Sequence, residues 1–413
     1  MAAAQPAGTV ADVKGHRAAV RFVLSTMFLN AMAFGVIIPV VPDLVMALSH
    51  SNIAHATAIG GWLSLTFAAM QFVFSPVIGN LSDRFGRRPV LLGSLFGFAC
   101  DFVIMALAPT LGWLFLARVL SGLFGSTNAP AQAVLADITP ADDRARLYGL
   151  ISAAFGAGFV MGPAVGGLLG EFDYRWPFYA SAILAFANFA YGWLALPETL
   201  APENRRPFDW RRANPVGALI KLRQMPGLTP ITIIYFLWQL ASLIYPMTWA
   251  YFAIGRFGWS NALVGVSLAL MGVAMAIAQS LFARRAIARF GERRMAEIGL
   301  VGAITIMVIL TFNENGWVAL AVMPLIAISS FIHPCLTAMM TRRANRTTQG
   351  EVQGIASSSM AVGSVIAPLL YNPLLAWFTS ADAPVHFYGI GFAVASLIAI
   401  SALFGLVRLP RAQ

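Results

Sequence analysis

The sequence predicts an all-α integral membrane protein with twelve transmembrane helices in two pseudo-symmetric six-helix bundles. Three observations carry this. Of the 413 residues only 11% are charged and 59% are hydrophobic, with a mean hydropathy of +0.75, whereas soluble domains carry about 25% charged residues. The apolar residues gather into runs of about 20, the length a helix needs to cross a hydrocarbon layer ~30 Å thick. Basic residues occupy every second loop, the pattern of loops held on one side of a membrane.

Helices 1 to 6 are expected at about 22–43, 57–80, 90–108, 112–135, 147–170 and 176–196, and helices 7 to 12 at about 228–253, 260–283, 296–312, 316–340, 352–378 and 384–407. In lipid each run must be a helix, because every backbone polar group needs an internal partner. Of the 27 Lys and Arg residues, 24 lie before helix 1, in alternate loops or at the end of the chain; only Arg118, Arg175 and Arg256 fall elsewhere. The positive-inside rule then places both termini and the longest loop in the cytoplasm. A net charge of +10 distributed in this way argues against a nucleic-acid surface. Cys100 and Cys335 fall inside spans and read as packing residues, not as a disulfide framework. The opening MAAAQPAGTVADVKGHR lacks the apolar core and cleavage site of a secretory signal, so helix 1 is expected to be retained.

Residues 198–227 form the long polar segment, with Pro202, Pro207, Pro215, Pro226 and six basic residues. They divide the chain into a tail (1–21), a bundle (22–197), this linker, a second bundle (228–407) and a short tail (408–413). Loops on the other side, such as GEFDYRW and FNENGW, leave no room for an outer domain. The arrangement is that of parallel-repeat transporters. A weak repeat supports duplication: GNLSDRFGRRPVLLG (79–93) follows helix 2, ARRAIARFGERRMAEIG (283–299) follows helix 8, and both contain R-F-G-x-R.

Several polar groups stand out against this background. Asp101 interrupts LFGFACDFVIM in helix 3, where an unpaired charge costs about 2.5–3.5 kcal/mol at a helix centre. In helix 5, Gly158, Gly162, Gly166 and Gly167 strip a face of side chains, and Pro163 removes a helical hydrogen bond. His333 precedes Pro334 in helix 10; it reads either as a proton relay or as a neutral histidine bonded across helices. Gln239, Ser242 and Tyr245 share a face of helix 7, so Gln239 and Tyr245 either line a cavity or, with Trp238 and Trp249, belong to an interfacial belt.

GNLSDRFGRRP resembles the signature loop of the major facilitator superfamily. In it Gly79 is expected to allow close approach of helix 2 to a neighbour, and Gly86 to permit the turn into helix 3. The resemblance implies a conformational gate of Asp83, Arg84, Arg87 and Arg88, with Asp137 as a further partner, locking the outward-facing state. GAGFVMGPAVGGLLG resembles the family's antiporter motif, which implies export. Arg118 with Gly122 resembles the helix 4 motif, whose arginine takes part in proton transfer; the alternative is an arginine snorkelling to the outer surface.

Longer stretches over both halves, among them SDRFGRRPVLLGSL, ADITPADDRAR, RFGWS and QGEVQG, are similar to bacterial tetracycline/proton antiporters. Asp101 falls on that subfamily's helix 3 aspartate and Gln71 on its helix 2 glutamine. Asn30 stands where an aspartate is usual, Met275 where a histidine is, and Ala303 where a second aspartate is. The resemblance implies the major facilitator fold and a proton-coupled antiporter exporting a small amphipathic or polycyclic, tetracycline-like compound by alternating access. The expected proton-coupling residues are Asp101, Arg118 and His333. The expected substrate cavity comprises Asn30, Gln71, Asn128, Gln239, Tyr245, Met275 and Gln279. The neutral replacements keep open export of an endogenous metabolite such as a siderophore, and a non-transporting scaffold or sensor is a third reading. No nucleophile–base pair, metal cluster or phosphate loop is present, so neither an enzyme nor a cofactor or metal site is expected. The partners expected are the substrate, protons and membrane lipid, for a functional monomer in a bacterial inner membrane.

Overall fold

The computed structural model describes residues 10–209, 222, 225, 227–343 and 349–410. Arg211, Arg212, Lys221, Arg223 and Arg346 lie outside them, as does most of the linker; the side chains of Lys14, Arg17, Asn128, Arg144 and Arg146 are likewise outside. Among the described residues the regular structure is entirely helical.

Helix 1 covers Val10–Ile37, and a short helix, Val41–Ser49, follows it outside the spans. Helix 2 (Ile53–Phe85) starts on Asn52, whose side chain accepts the His55 N–H at 3.0 Å and so satisfies an end group of the helix. Helix 3 is Arg87–Leu107, helix 5 Ala141–Gly170 and helix 6 Trp176–Ala195. Helices 11 and 12 are Gln349–Thr379 and Ile390–Arg408. Among the described residues ten stretches are long and apolar enough to cross a membrane. They correspond to twelve helices because Asn261–Phe312 holds helices 8 and 9, divided at Gly291, and helix 4 is interrupted into Leu111–Phe124 and Asn128–Ile138. Helix 7 is likewise broken, into Thr229–Ser242 and Ile244–Phe257.

Two helices depart from α geometry at neighbouring places. Helix 8 runs Asn261–Ile277 and then makes a π turn at Ala278–Phe282. Helix 10 runs Gly316–Val322, tightens into a 3₁₀ stretch over Met323–Phe331, and resumes at Ile332–Arg342. A 3₁₀ run this long is uncommon, and mid-helix irregularity marks hinges and functional sites.

The internal repeat is visible in three dimensions. Gly86 (φ 106°, ψ 160°) and Gly291 (φ 78°, ψ 160°) make the same turn, in a region that side chains with a Cβ avoid. Arg88 Nη2 donates to Trp193 O at the end of helix 6 at 2.8 Å; Arg293 Nη1 and Nη2 donate to Leu409 O and Leu406 O at the end of helix 12 at 2.8 and 3.0 Å. The neighbouring position reverses sign. Arg87 reaches Asp137 at the end of helix 4 at 2.9 Å, whereas Glu292 takes Arg342 at the end of helix 10 at 2.7 Å.

Helices 1 to 6 pack on one another, as do helices 7 to 12, and the halves meet along helices 2 and 11 and helices 5 and 8. These seams lie away from the face that carries both repeat loops, here called the basic face. Asn372 Nδ2 of helix 11 donates to Thr57 O of helix 2 at 3.3 Å. Asn261 Nδ2 donates to Asp43 Oδ2 at 2.6 Å, and the Ala262 N–H to Glu171 Oε1 at 2.8 Å. The far face is therefore closed. On the basic face a cavity of about 780 Å³ opens beside helix 10. Gly79 corrects an expectation: a Cβ there would meet nothing within 4 Å, so this glycine makes no close approach while the halves stand apart on its side.

Candidate functional site: a buried acid–arginine pair, a loop gate and a cavity

Asp101 projects from helix 3 and is 0% exposed. It sits six residues before Leu107, about 9 Å from the far-face end of the helix. Ser121 Oγ donates to its Oδ2, and the Arg118 guanidinium lies 4.0 Å from the same oxygen. Oδ1 accepts no hydrogen bond from the described residues, so it is the oxygen free to take a proton. Arg118 does not snorkel: its side chain is 12% exposed, contacts Met105 Sδ and lies over the Phe67 ring, with 5.9 Å from Cζ to the centroid. Helix 4 reaches this position because Gly122 lets it press onto helix 2; a Cβ there would lie 2.7 Å from Phe67 O. Ser121 was missed from the sequence, although it follows Arg118 by one turn and so shares its face.

The signature loop gathers a charge cluster on the basic face. Arg87 Nη1 meets Asp83 Oδ1 at 2.5 Å while its Nε donates to Asp137 Oδ2 at 2.9 Å. Arg88 turns instead to helix 6, and Arg84 lies over the Phe85 ring at 5.0 Å. A residue not anticipated, Glu198, places its carboxylate at the start of helix 3. It accepts from the N–H groups of Arg87 at 2.8 Å, Thr199 at 3.0 Å and Leu200 at 3.0 Å, the natural place for an anion on a helix dipole. The linker joins the cluster through the Arg206 N–H to Asp83 O at 3.0 Å and Asn80 Nδ2 to Asp209 O at 2.6 Å. All of these contacts lie within the first half and the linker.

The glycines of helix 5 serve two interfaces. Gly158, Gly162 and Gly166 lie on the helix 1 backbone; a Cβ on Gly162 would lie 2.8 Å from Gly35 Cα. Gly167 faces the other half instead, where a Cβ would lie 3.1 Å from Gly265 Cα of helix 8. Pro163 stays inside the continuous helix, and its carbonyl also abuts Gly265.

The remaining predicted residues do not converge on one cavity in this conformation. Asn30 Nδ2 donates to Thr127 Oγ1 at 2.7 Å, tying helix 1 to the break in helix 4, and Gln71 is half-buried on helix 2. Gln239 and Tyr245 are buried among helices of the second half, Tyr245 against Phe392 with ring centroids 5.7 Å apart. Trp249 is equally buried and donates to Ser267 Oγ at 2.9 Å. These three therefore line neither the cavity nor a lipid-facing belt; tertiary packing has claimed the polar face of helix 7. Met275 packs against the same core. Gln279 lies in the π turn and donates to Ser330 O in the 3₁₀ stretch at 3.3 Å. His333 borders the cavity, with Nδ1 3.2 Å from the Tyr235 hydroxyl. Cys100 and Cys335 are free, and among the described residues no group of three or more His, Cys, Asp or Glu is placed to hold a metal ion.

Two helical halves joined at one face, with a cavity open to the other face in the second half and a charged pair buried in the first, define a membrane transporter of the two-bundle kind. The chain belongs to the Major Facilitator Superfamily, whose profile matches residues 23–368 and 231–413. It is 39% identical to the tetracycline resistance protein, class C, of Escherichia coli, over 86% of this chain and 89% of that one. It is 36% identical to the class G tetracycline resistance protein of Vibrio anguillarum, over 84% and 87%. The crystal structure of the human organic anion transporter MFSD10 shares the fold, with a TM-score of 0.70, 23% identity, and coverage of 95% of this chain and 99% of that one.

Proposed function

We propose that this chain is a proton-coupled antiporter that exports a small amphipathic or polycyclic, tetracycline-like compound by alternating access. It would work as a monomer in a bacterial inner membrane, with both termini in the cytoplasm. The relatives named as tetracycline resistance proteins support the cargo class. The alternation of basic loops supports the orientation, which makes the open cavity a cytoplasmic entrance.

The observation that carries the coupling is Asp101, a fully buried carboxylate with one oxygen held by Ser121 and Arg118 and the other free. With the far face closed, no proton reaches it from that side. Rocking the halves about the helix 5–helix 8 and helix 2–helix 11 seams opens the far side. A proton then enters on Oδ1 and releases Arg118 from its counter-charge; return to the present conformation delivers that proton inward. At ~100 mV one proton supplies about 2.3 kcal/mol, enough for about a fifty-fold gradient of an uncharged cargo. The test is tetracycline uptake and lumenal pH in proteoliposomes. Asp101→Asn should abolish gradient-driven uptake while leaving gradient-free exchange of labelled for unlabelled tetracycline. Persistent proton-driven uptake by the variant would make Asp101 a structural group and end this reading.

A further inference from the structure

We propose that the cargo binds, in an uncharged or anionic metal-free form, on a wall of the second half formed by helix 10 just beyond its 3₁₀ stretch and by Gln353 of helix 11, so that each exchange cycle moves net charge across the membrane. This rests on the antiport reading and adds the binding site and the electrical character of the cycle.

A π turn and a nine-residue 3₁₀ stretch leave carbonyl groups without their usual i→i−4 partners. Inside a membrane such backbone is tolerated where protein covers it or where it lines a wet cavity. Here Gln279 satisfies Ser330 O across the two helices, and Ser330 Oγ, 4% exposed, finds no partner among the described residues. Two residues after the 3₁₀ stretch begins the face of helix 10 that borders the cavity, with His333, Thr337 and Thr341 one above another at i, i+4 and i+8. Gln353 of helix 11 and Arg342 complete the border. The buried face of the same segment, Cys335, Leu336, Met339 and Met340, fixes which side is presented.

The chemistry of that face decides what it accepts. The Thr337 and Thr341 hydroxyls already donate to carbonyls of their own helix, each at 2.9 Å. Tyr235 engages His333 Nδ1, which leaves Nε2 for the cavity. The available donors are the imidazole, the Gln353 amide and the Arg342 guanidinium, whose acid partner Glu292 is already engaged at 2.7 Å. Donors without an ionised acceptor suit ketone, enolate, phenolate or carboxylate oxygens.

The charge census decides the electrical character. Of the 17 Asp and Glu residues, Asp101 is fully buried within a span; Glu297, six residues into helix 9, is half-buried and paired with Arg293, and the others lie at helix ends, in loops or in the tail. Asp101 is matched by Arg118. Ionised, the pair sums to zero; protonated, it leaves one positive charge. In neither state does the interior carry the net negative charge that a cationic cargo or a metal chelate would need. Export of an uncharged cargo against one proton therefore carries one positive charge inward per cycle, and export of an anion carries more.

The experiment uses the full chain in proteoliposomes with EDTA and metal-free tetracycline as the probe. An acid lumen should drive uptake, since protons leave as tetracycline enters. Adding an inside-positive potassium–valinomycin potential should raise accumulation by up to about fifty-fold per 100 mV at one proton per uncharged cargo, and should drive uptake even without a pH gradient. On the wall, His333→Leu and Gln353→Leu should each raise the half-saturating tetracycline concentration about 5- to 10-fold, the loss of one hydrogen bond. The response to potential should persist in both variants, and His333→Gln should restore most of the affinity. Uptake that follows the pH gradient but ignores the potential, or that requires a divalent cation, overturns this inference and leaves the antiport reading standing. Unchanged half-saturation in both wall variants overturns the site. No gradient-driven uptake by the wild-type chain overturns both readings.

Discussion

Two alanine substitutions in one glycine motif should fail in different ways. Gly167 lies against helix 8 of the opposite half, 3.1 Å from Gly265 Cα to an added Cβ, whereas Gly162 lies against Gly35 of its own half at 2.8 Å. In Gly167→Ala the overlap exists only while the far face is closed, so rocking open relieves it. Overpacking of a well-packed contact costs about 1–3 kcal/mol, which shifts the equilibrium about 5- to 150-fold toward the far-open state. In Gly162→Ala the same cost falls on helix 1 against helix 5 in either state, so it lowers stability without favouring one conformation. The assay is alkylation of a single cysteine at Thr57, in a background with Cys100 and Cys335 replaced, alongside thermal unfolding in detergent. Gly167→Ala should speed labelling at the far seam with little change in Tm; Gly162→Ala should lower Tm and leave labelling slow. If the two variants label alike, the division of the motif between two interfaces is wrong.

Arg87→Ala removes the partner of both Asp83 and the half-buried Asp137 side chain; it should reduce maximal tetracycline transport far more than Arg84→Ala, whose guanidinium rests on Phe85. Closure of the far face should also depend on pH. Burial pushes the Asp43 carboxyl above its ordinary range, opposed by the Asn261 hydrogen bond and reinforced by the negative charge of Glu171. Its contribution to closure is thus full below the ordinary carboxylate range and lost as pH rises through the raised value. Glu171, held low by the Ala262 N–H and by Ser260, acts in the opposite sense and loses its contribution only in stronger acid. Distances between spin labels across the far seam, followed against pH, should show closure weakening upward from acid. Asp43→Asn should remove that upper transition, and a profile unchanged by the substitution counts against the assignment.

The helices were legible because hydropathy and length are local properties, and Gly86 and Gly291 were legible because a repeated R-F-G-x-R names a turn. The breaks in helices 4 and 7 were not, since Gly125 and Ser242–Leu243 look like ordinary membrane-helix residues until tertiary contacts select the bend. Asp101 announced itself by cost. Its partner Arg118 left two readings open, and only the packing of helix 4 on helix 2 decides between them. The three-residue spacing in helix 7 named a common face for Gln239 and Tyr245, but not what would cover it. The Asp43–Asn261 contact joins residues 218 apart in the chain, beyond any local pattern.

The sign reversal between the repeat loops has a consequence for how the halves come together when the basic face shuts. Two unaltered copies of one ancestral loop would confront each other with matching charges and repel. Here the first half turns outward a carboxylate, Asp83, whose side chain is 41% exposed, and the second half a guanidinium, Arg342, whose side chain is 71% exposed. An exposed carboxylate on the first half and an exposed guanidinium on the second thus attract each other, on two loops that are otherwise both basic. The screening length at physiological salt is about 8 Å, so this attraction acts only over the last stretch of the approach, as a short-range catch.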